Sequence, residues 1–272
     1  MRVLSPQQKA FFEAFGYLKL PGLIRAECLA LAESFEAVFR EEGAAHDGSR
    51  RSCIVPFIDR HAELCALLDH PGIDGALCEL LGEEYNYLTS DGNCYTGDTN
   101  WHADGQRRRL TCVKLAFYLD PVRRESGCLR VLPGSHRLSA DPSWAARQAA
   151  QARELWGLDP REVPCVALES DPGDVLAFDH NLMHASFGGS ARRRMFTINA
   201  CNRASSPESL AELRAFIGEQ ARFWIEHLHS DLMKATAGPG RMKHLKQVME
   251  NEDHLPALVA QAKARMKEAS RG

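Results

Sequence analysis

The chain has 272 residues, 44% hydrophobic and 25% charged, a composition that buries a large core and excludes a disordered class. Its 33 basic and 36 acidic residues leave a formal net charge of −3, which gives no field suited to a nucleic-acid backbone or an anionic membrane, so neither partner is expected. The opening MRVLSPQQKAFF lacks the apolar core of a signal peptide and no run approaches the roughly 18 apolar residues that span a bilayer, so a cytoplasmic location is expected.

Ser5, Pro6 and Gln8 have the order of a capping box with proline at the first helical position. Phe11, Phe12 and Phe15 give that helix an apolar face, Gly16 stops it, and YLKLPGLI (17–24) reads as a short strand entering a turn. A second helix is predicted from about Arg25 to Glu42, carrying Leu29, Phe35, Val38 and Phe39. HDGSRRS (46–52) reads as a polar loop, and 58–81 as short helices broken at Pro71 and Gly72. From Tyr85 the texture changes to short Val/Leu/Phe/Tyr-rich runs: YNYLT, LTCVKLAFYL, CLRVL, VPCVAL, DVLAF and MFTINAC. Strands at this spacing predict a β-barrel or sandwich. Between the first two lies SDGNCYTGDTN (90–100), a run of turn-formers.

Residues 139–158 read as an Ala/Arg-rich helical insert over the barrel mouth. After Ser206 and Pro207 the chain is helical again, with Leu210, Leu213, Phe216, Ile217, Phe223, Trp224 and Leu228 spaced for one face. These helices are expected to pack on the barrel or on a second subunit, as a homodimer, rather than to contact substrate. With no repeat or linker, one domain is expected over 1–272: a barrel core at about 85–204, a helical N-terminal region over 1–84 and a helical C-terminal extension over 205–272. The nine cysteines (28, 53, 65, 78, 94, 112, 128, 165, 201) include no C-x-x-C pair. They read as reduced, mostly core thiols rather than a disulfide framework or a zinc cluster.

WHADG (101–105) carries the first chemical signal. In an extended segment His102 and Asp104 point to one face. A short polar loop also accounts for such a tripeptide, so a third partner decides. His184, in FDHNLMHASFGGS directly after DVLAF, is the best one: two imidazoles and a carboxylate form the facial triad that leaves open positions on non-haem Fe(II). His180 competes, because HNLMH on a helix would bring His180 and His184 to one metal; a zinc hydrolase of that type wants a glutamate where Asn181 stands.

Four stretches in order, SPQQKAFFEAFGYLKLPGLI, WHADG, ESGCLRVLPGSH and PGDVLAFDHNLMHASFGGS, resemble the phytanoyl-CoA dioxygenase family of Fe(II)/2-oxoglutarate oxygenases, over most of residues 5–204. The resemblance implies a mainly β fold with flanking helices, a double-stranded β-helix of jelly-roll or cupin-like form. It implies His102, Asp104 and His184 as iron ligands, with Fe(II), 2-oxoglutarate and O2 as cofactor and co-substrates. The implied reaction hydroxylates a C–H bond of a small-molecule substrate and releases succinate and CO2. Related halogenases lack the carboxylate, so Asp104 favours hydroxylation, while desaturation or ring closure stays open.

Family members place a co-substrate arginine about ten residues after the distal histidine, with a serine two after it; Ser186 fits the serine. Arg192, Arg193 and Arg194 compete for the arginine, and parity favours Arg193, which shares a strand face with Met195, Thr197 and Asn199. Arg194 is the reserve. Lys114, at a place where many members carry lysine, either lines the pocket or snorkels from an edge. Asn93 and Tyr95 are further pocket candidates by parity. The charge run Arg107, Arg108 and Arg109 reads as solvated, and His136 as structural. The alternative function is a metal-binding cupin-like barrel that is not an oxygenase, an isomerase or a degenerate scaffold; a protein hydroxylase with an open groove is a third. Substrate choice is expected to lie in segments such as 44–60 and 139–160.

Overall fold

A computed structural model of the chain describes residues 3–105, 108–137 and 148–270. Among them, eleven strands run in order: β1 Tyr17–Leu20, β2 Ser52–Ile54, β3 Asn86–Thr89, β4 Gly92–Tyr95, β5 Thr99–His102, β6 Cys112–Tyr118, β7 Leu129–Val131, β8 Val166–Leu168, β9 Val175–Asp179, β10 His184–Ser186 and β11 Arg193–Cys201. They form a seven-stranded sheet, β1-β9-β6-β11-β4-β2 with β3 also on β11, and a four-stranded sheet, β5-β10-β7-β8. Every named pairing is antiparallel. The fold is mainly β with flanking helices, of the double-stranded β-helix type.

Alternation along the strands divides the apolar residues. On the large sheet Val113, Leu115, Phe117, Phe196 and Ile198 face the N-terminal helices and join Phe35, Phe57, Leu64 and Leu77 in one core; the Phe117 and Phe196 rings stack at 4.6 Å. The opposite face meets the small sheet, where Ala116, Tyr118, Leu129, Val131, Phe178 and Met195 pack together. Residues of both sheets, among them His102, Ser186, Lys114 and Arg193, line a chamber between them.

The first helix, Pro6–Phe15, carries the expected capping box at Ser5 and ends at Gly16 in the left-handed conformation (φ 80°). β1 falls in the stretch expected to be a strand, while β2 follows the polar loop without a sequence signal; the two extend the large sheet at its edges. The second helix spans Cys28–Glu41 and buries Leu31, Phe35, Val38 and Phe39, whereas Leu29 is 73% exposed. Pro71 begins the helix Pro71–Leu81 rather than breaking one, and the His70 ring caps it through Gly72 N–H.

The largest departure is the turn-former run, which holds β4 and β5. Gly92 is there for packing rather than for a turn, because a Cβ at that position would sit 2.0 Å from the Phe57 ring. Residues 139–147 of the expected insert lie outside the described residues. Its described remainder, a turn at Ala149–Gln151 and a helix at Ala152–Trp156, packs behind the small sheet, with Ala149 and Ala152 against Trp101 and Phe187. After Ser206, which caps Pro207–Glu219, the C-terminal helices bury Leu213, Ile217, Leu228, Val248 and Leu255 against Leu88, Leu110 and Cys112. Among the described residues, no helix is long and apolar enough to cross a membrane.

Candidate metal centre and co-substrate chamber

β5 and β10 are hydrogen-bonded neighbours in a register that sets His102 directly opposite His184. Their side chains share the inward face, while Trp101, Met183 and Ala185 point outward into a buried cluster; the Trp101 indole N–H donates to the Pro160 carbonyl (2.8 Å). That outward anchor aims His102 inward. The Pro-Gly-Ser-His turn braces the other strand: Met183 N–H donates to Ser135 Oγ (2.8 Å) and Leu132 N–H to the Met183 carbonyl (2.9 Å). His136 packs on Gly16, where a Cβ would lie 2.5 Å from its Nδ1; it is far from a ligand role and locks the turn to the first helix.

The ligand atoms of His102, Asp104 and His184 all lie within 4.8 Å of one another. Asp104 Oδ1 is 3.8 Å from His102 Nε2 and Oδ2 is 3.7 Å from His184 Nε2. His102 Nδ1 is 2.8 Å from the Asn100 carbonyl, and His184 Nδ1 is 2.8 Å from the Leu182 carbonyl. A carbonyl only accepts, so each Nδ1 carries a hydrogen and each Nε2 is turned to the common point. Burial holds the His184 ring down at about 4, so it is neutral at pH 7. Burial alone would raise the Asp104 carboxyl, but the Lys114 ammonium beside it outweighs this and holds the group well below the usual carboxylate range. Lys114 Nζ donates to Asp104 Oδ2 at 2.7 Å. Two imidazoles that turn Nε2 to a common point and an ionised carboxylate fit a divalent iron.

HNLMH does not form the helix a zinc hydrolase needs: residues 180–182 turn and His184 opens β10. His180 lines an outer vestibule instead.

An inner chamber of about 60 Å³ lies beside the triad, lined by Tyr95, Lys114, Tyr118, Ser186 and Arg193 among others. Cross-strand register explains the lining, since Arg193 pairs with Tyr95, Met195 with Tyr118 and Asn199 with Lys114. Arg193 is 3% exposed, and its Nε and Nη1 have no hydrogen-bond partner. Gly127 and Gly189 make room for it: a Cβ on either would come within 1.9 or 2.3 Å of Nη1. The guanidinium lies 5.0 Å from the Tyr95 ring centroid. Ser186 Oγ donates to the Gly127 carbonyl (2.8 Å).

The structure keeps Arg194 and Arg192 out of the chamber. Arg194 binds Asp120 through Nε (3.0 Å) and Nη2 (2.5 Å), and Glu36 through Nη1 (2.9 Å); Arg192 binds both Glu36 oxygens at 2.8 Å. Asn93 stands one layer behind, accepting from Arg51 (2.6 and 2.8 Å) and donating to Asp91 Oδ2 (2.5 Å). Arg108 and Arg109 are exposed, with their backbone N–H groups on Glu212; Arg107 lies outside the described residues.

Sequence reasoning missed a buried polar network beside the triad. Asp91 accepts from Thr197 Oγ1 (2.5 Å) and Asn93, and stands 4.0 Å from Arg51. Burial would raise its carboxyl, yet Lys114 and Arg51 keep it lowered. Parity reaches Asp91 from Asn93 and Tyr95, whereas Arg51, whose guanidinium lies over the Tyr95 ring at 4.4 Å, had no local signal. The vestibule, about 550 Å³, is lined on one side by Phe216, Glu219, Gln220, Arg222 and Phe223. One end of the C-terminal extension, besides packing on the sheet, forms a wall of the approach to the triad.

A family model described as phytanoyl-CoA dioxygenase (PhyH) matches residues 12–196. No curated protein matches the chain. Among solved structures, it is similar to the non-heme alpha ketoglutarate dependent carbocyclase SnoK from nogalamycin biosynthesis (22% identity, 73% of this chain and 84% of that one, TM-score 0.60). It is also similar to EctD from S. alaskensis with 2-oxoglutarate and 5-hydroxyectoine (23%, 75% and 77%, TM-score 0.57). A third is HygX from Streptomyces hygroscopicus with nickel and 2-oxoglutarate (16%, 74% and 88%, TM-score 0.61).

Proposed function

This chain belongs to the phytanoyl-CoA dioxygenase family, and from that premise we propose that it is an Fe(II)- and 2-oxoglutarate-dependent oxygenase that hydroxylates a C–H bond of a small molecule, releasing succinate and CO2. The observation that carries the reading is the pairing of a three-ligand cluster with a buried arginine whose Nε and Nη1 are unpartnered. A buried unpaired cationic donor costs free energy unless an anion joins it, and a dicarboxylate held at the triad through one end needs such a partner for the other.

Bound iron with 2-oxoglutarate and O2 supplies the oxidising chemistry; the chain supplies the rest. His102, Asp104 and His184 would hold the metal. Lys114 keeps Asp104 ionised and fixes one of its oxygens. Arg193 receives the distal carboxylate, its planar fork oriented by Tyr95 and by the two glycines that admit it. As it stands, the Ser186 hydrogen is committed to Gly127, so the serine braces the arginine's surroundings and meets a carboxylate only by turning its hydroxyl. The vestibule residues bind and orient the substrate, and the aromatic side chains of Phe216 and Phe223 help exclude water.

A metal-binding barrel without this co-substrate has no use for an arginine held this way. The test is a screen of candidate metabolites for succinate release, with His102→Ala as the blank. Substrate-stimulated succinate in the wild type alone supports the reading, and equal release by the blank rejects the assigned centre.

A further inference from the structure

A second cluster lies outside the inter-sheet chamber. Asp74 and Cys78 are one turn apart on the helix Pro71–Leu81, and His244 reaches them from the helix Pro239–Met249. Their ligand atoms lie within 4.8 Å of one another. His244 is 1% exposed and stacks on the Tyr85 ring at 3.6 Å. Its Nδ1 is 2.8 Å from the Tyr85 carbonyl, which fixes the hydrogen on Nδ1 and leaves the neutral ring's lone pair on Nε2. That buried Nε2 has no hydrogen-bond partner, although Asp74 Oδ1 is 3.1 Å away. Asp74 Oδ1 accepts from the Tyr85 hydroxyl (3.3 Å) and the Cys78 thiol, and the approach of Nε2 to it requires a proton or a metal cation between the two acceptors.

Two of the three separations, both to Asp74 Oδ1, match a tetrahedral cation. Cys78 Sγ is 3.6 Å from Asp74 Oδ1. Tetrahedral zinc, with bonds of about 2.0 Å to nitrogen and oxygen and about 2.3 Å to sulfur, sets its ligand atoms about 3.3 Å (N to O) and about 3.5 Å (S to O) apart. We propose that Asp74, Cys78 and His244 form a zinc site, separate from the triad and non-catalytic, that ties the C-terminal helix Pro239–Met249 to the N-terminal helix Pro71–Leu81. A thiolate–imidazole–carboxylate set is a borderline-soft donor set that favours zinc over magnesium or calcium. The fourth position is open to water on the Asp74 side, where the carboxylate side chain is 36% exposed. Binding converts the Cys78 thiol to a thiolate and releases its proton to solvent. The spacing rules for zinc motifs do not find this set, because its ligands come as an i, i+4 pair and a histidine far along the chain.

The triad contains no sulfur, so cobalt(II) substitution separates the two centres. Full-length wild-type protein titrated with cobalt(II) is expected to develop a near-ultraviolet thiolate-to-cobalt charge-transfer band that saturates by two equivalents, one for each centre, and is bleached by zinc. Cys78→Ser abolishes the band, His244→Gln weakens or abolishes it, and His102→Ala leaves it intact. No band in the wild type overturns the proposal, as does a band that persists in Cys78→Ser. The wild-type result decides this even where a variant fails to fold.

Discussion

Replacing Arg193 with methionine separates ligand binding from stability. The arginine is 3% exposed and two of its nitrogens lack partners, so in the ligand-free protein it is a buried charge with incomplete hydrogen bonding. Removing it relieves a cost of about 1–2 kcal/mol, and Tm should rise by a few degrees, at about 2–4 °C per kcal/mol for a chain of this size. In the liganded protein the same change removes a charge-assisted, desolvated contact of about 3 kcal/mol, so KM for 2-oxoglutarate should rise about 150-fold. Arg194→Met should do the reverse. Its partners Asp120 and Glu36 are each more than a third exposed, so after solvent screening it costs about 1 kcal/mol of stability and leaves the 2-oxoglutarate KM unchanged. Differential scanning fluorimetry and succinate-release kinetics on both variants measure the four quantities. A normal 2-oxoglutarate KM in Arg193→Met, or a raised one confined to Arg194→Met, refutes the assignment.

Gly189→Ala places a methyl 2.3 Å from Arg193 Nη1 and 2.4 Å from the Gly97 carbonyl; displacing the guanidinium should raise the 2-oxoglutarate KM about tenfold, and an unchanged KM would show that the chamber has slack. Phe223→Ala removes a wall of the vestibule and should raise the substrate KM about tenfold with the 2-oxoglutarate KM unaltered; equal effects on both would place Phe223 in a merely structural role. Burial holds the imidazoles of His184 and His229 at about 4, below the ordinary 6.5. Between these values the unfolded chain binds more protons than the folded one, so stability of the metal-free protein rises with pH across the window and is lost as pH falls from about 6.5 to about 4, by about 3 kcal/mol per ring. Urea denaturation at stepped pH reads this directly, and a flat profile over that range contradicts it.

Period-2 reasoning was the most productive reading of the sequence. It separated Arg193 from Arg192 and Arg194, and the structure puts Arg193 at the chamber and its two neighbours on Glu36 and Asp120. It worked because β11 is long and regular, and its face assignment survives small errors in where the strand begins. Within 90–100 the same rule reaches only Asn93 and Tyr95, since glycine, asparagine and aspartate there read as turns. In the structure Gly92 is forced by the Phe57 ring and Asp91 by its ammonium and guanidinium neighbours. Those are tertiary demands that local propensity does not contain. Arg51 and the Phe216–Phe223 wall were illegible for a related reason: each meets the site across a long stretch of chain, so nothing adjacent in sequence marks it. Leu29 shows the opposite error, an apolar residue assigned to a face that the actual helix start turns to solvent.

The direct opposition of His102 and His184 on neighbouring strands has an evolutionary consequence. Between this pair and the next, Ser186 opposite Thr99, the ladder shifts register, and a slip by one rung on either strand would turn an imidazole to the outside. Insertions or deletions within β5 or β10 are therefore lethal to metal binding. The segments that line the vestibule, around residue 51 and from 216 to 223, hang outside that ladder. Substitutions at Arg51, Phe216 or Phe223 therefore alter the wall of the vestibule while His102 and His184 stay in register, because none of these side chains belongs to the metal cluster.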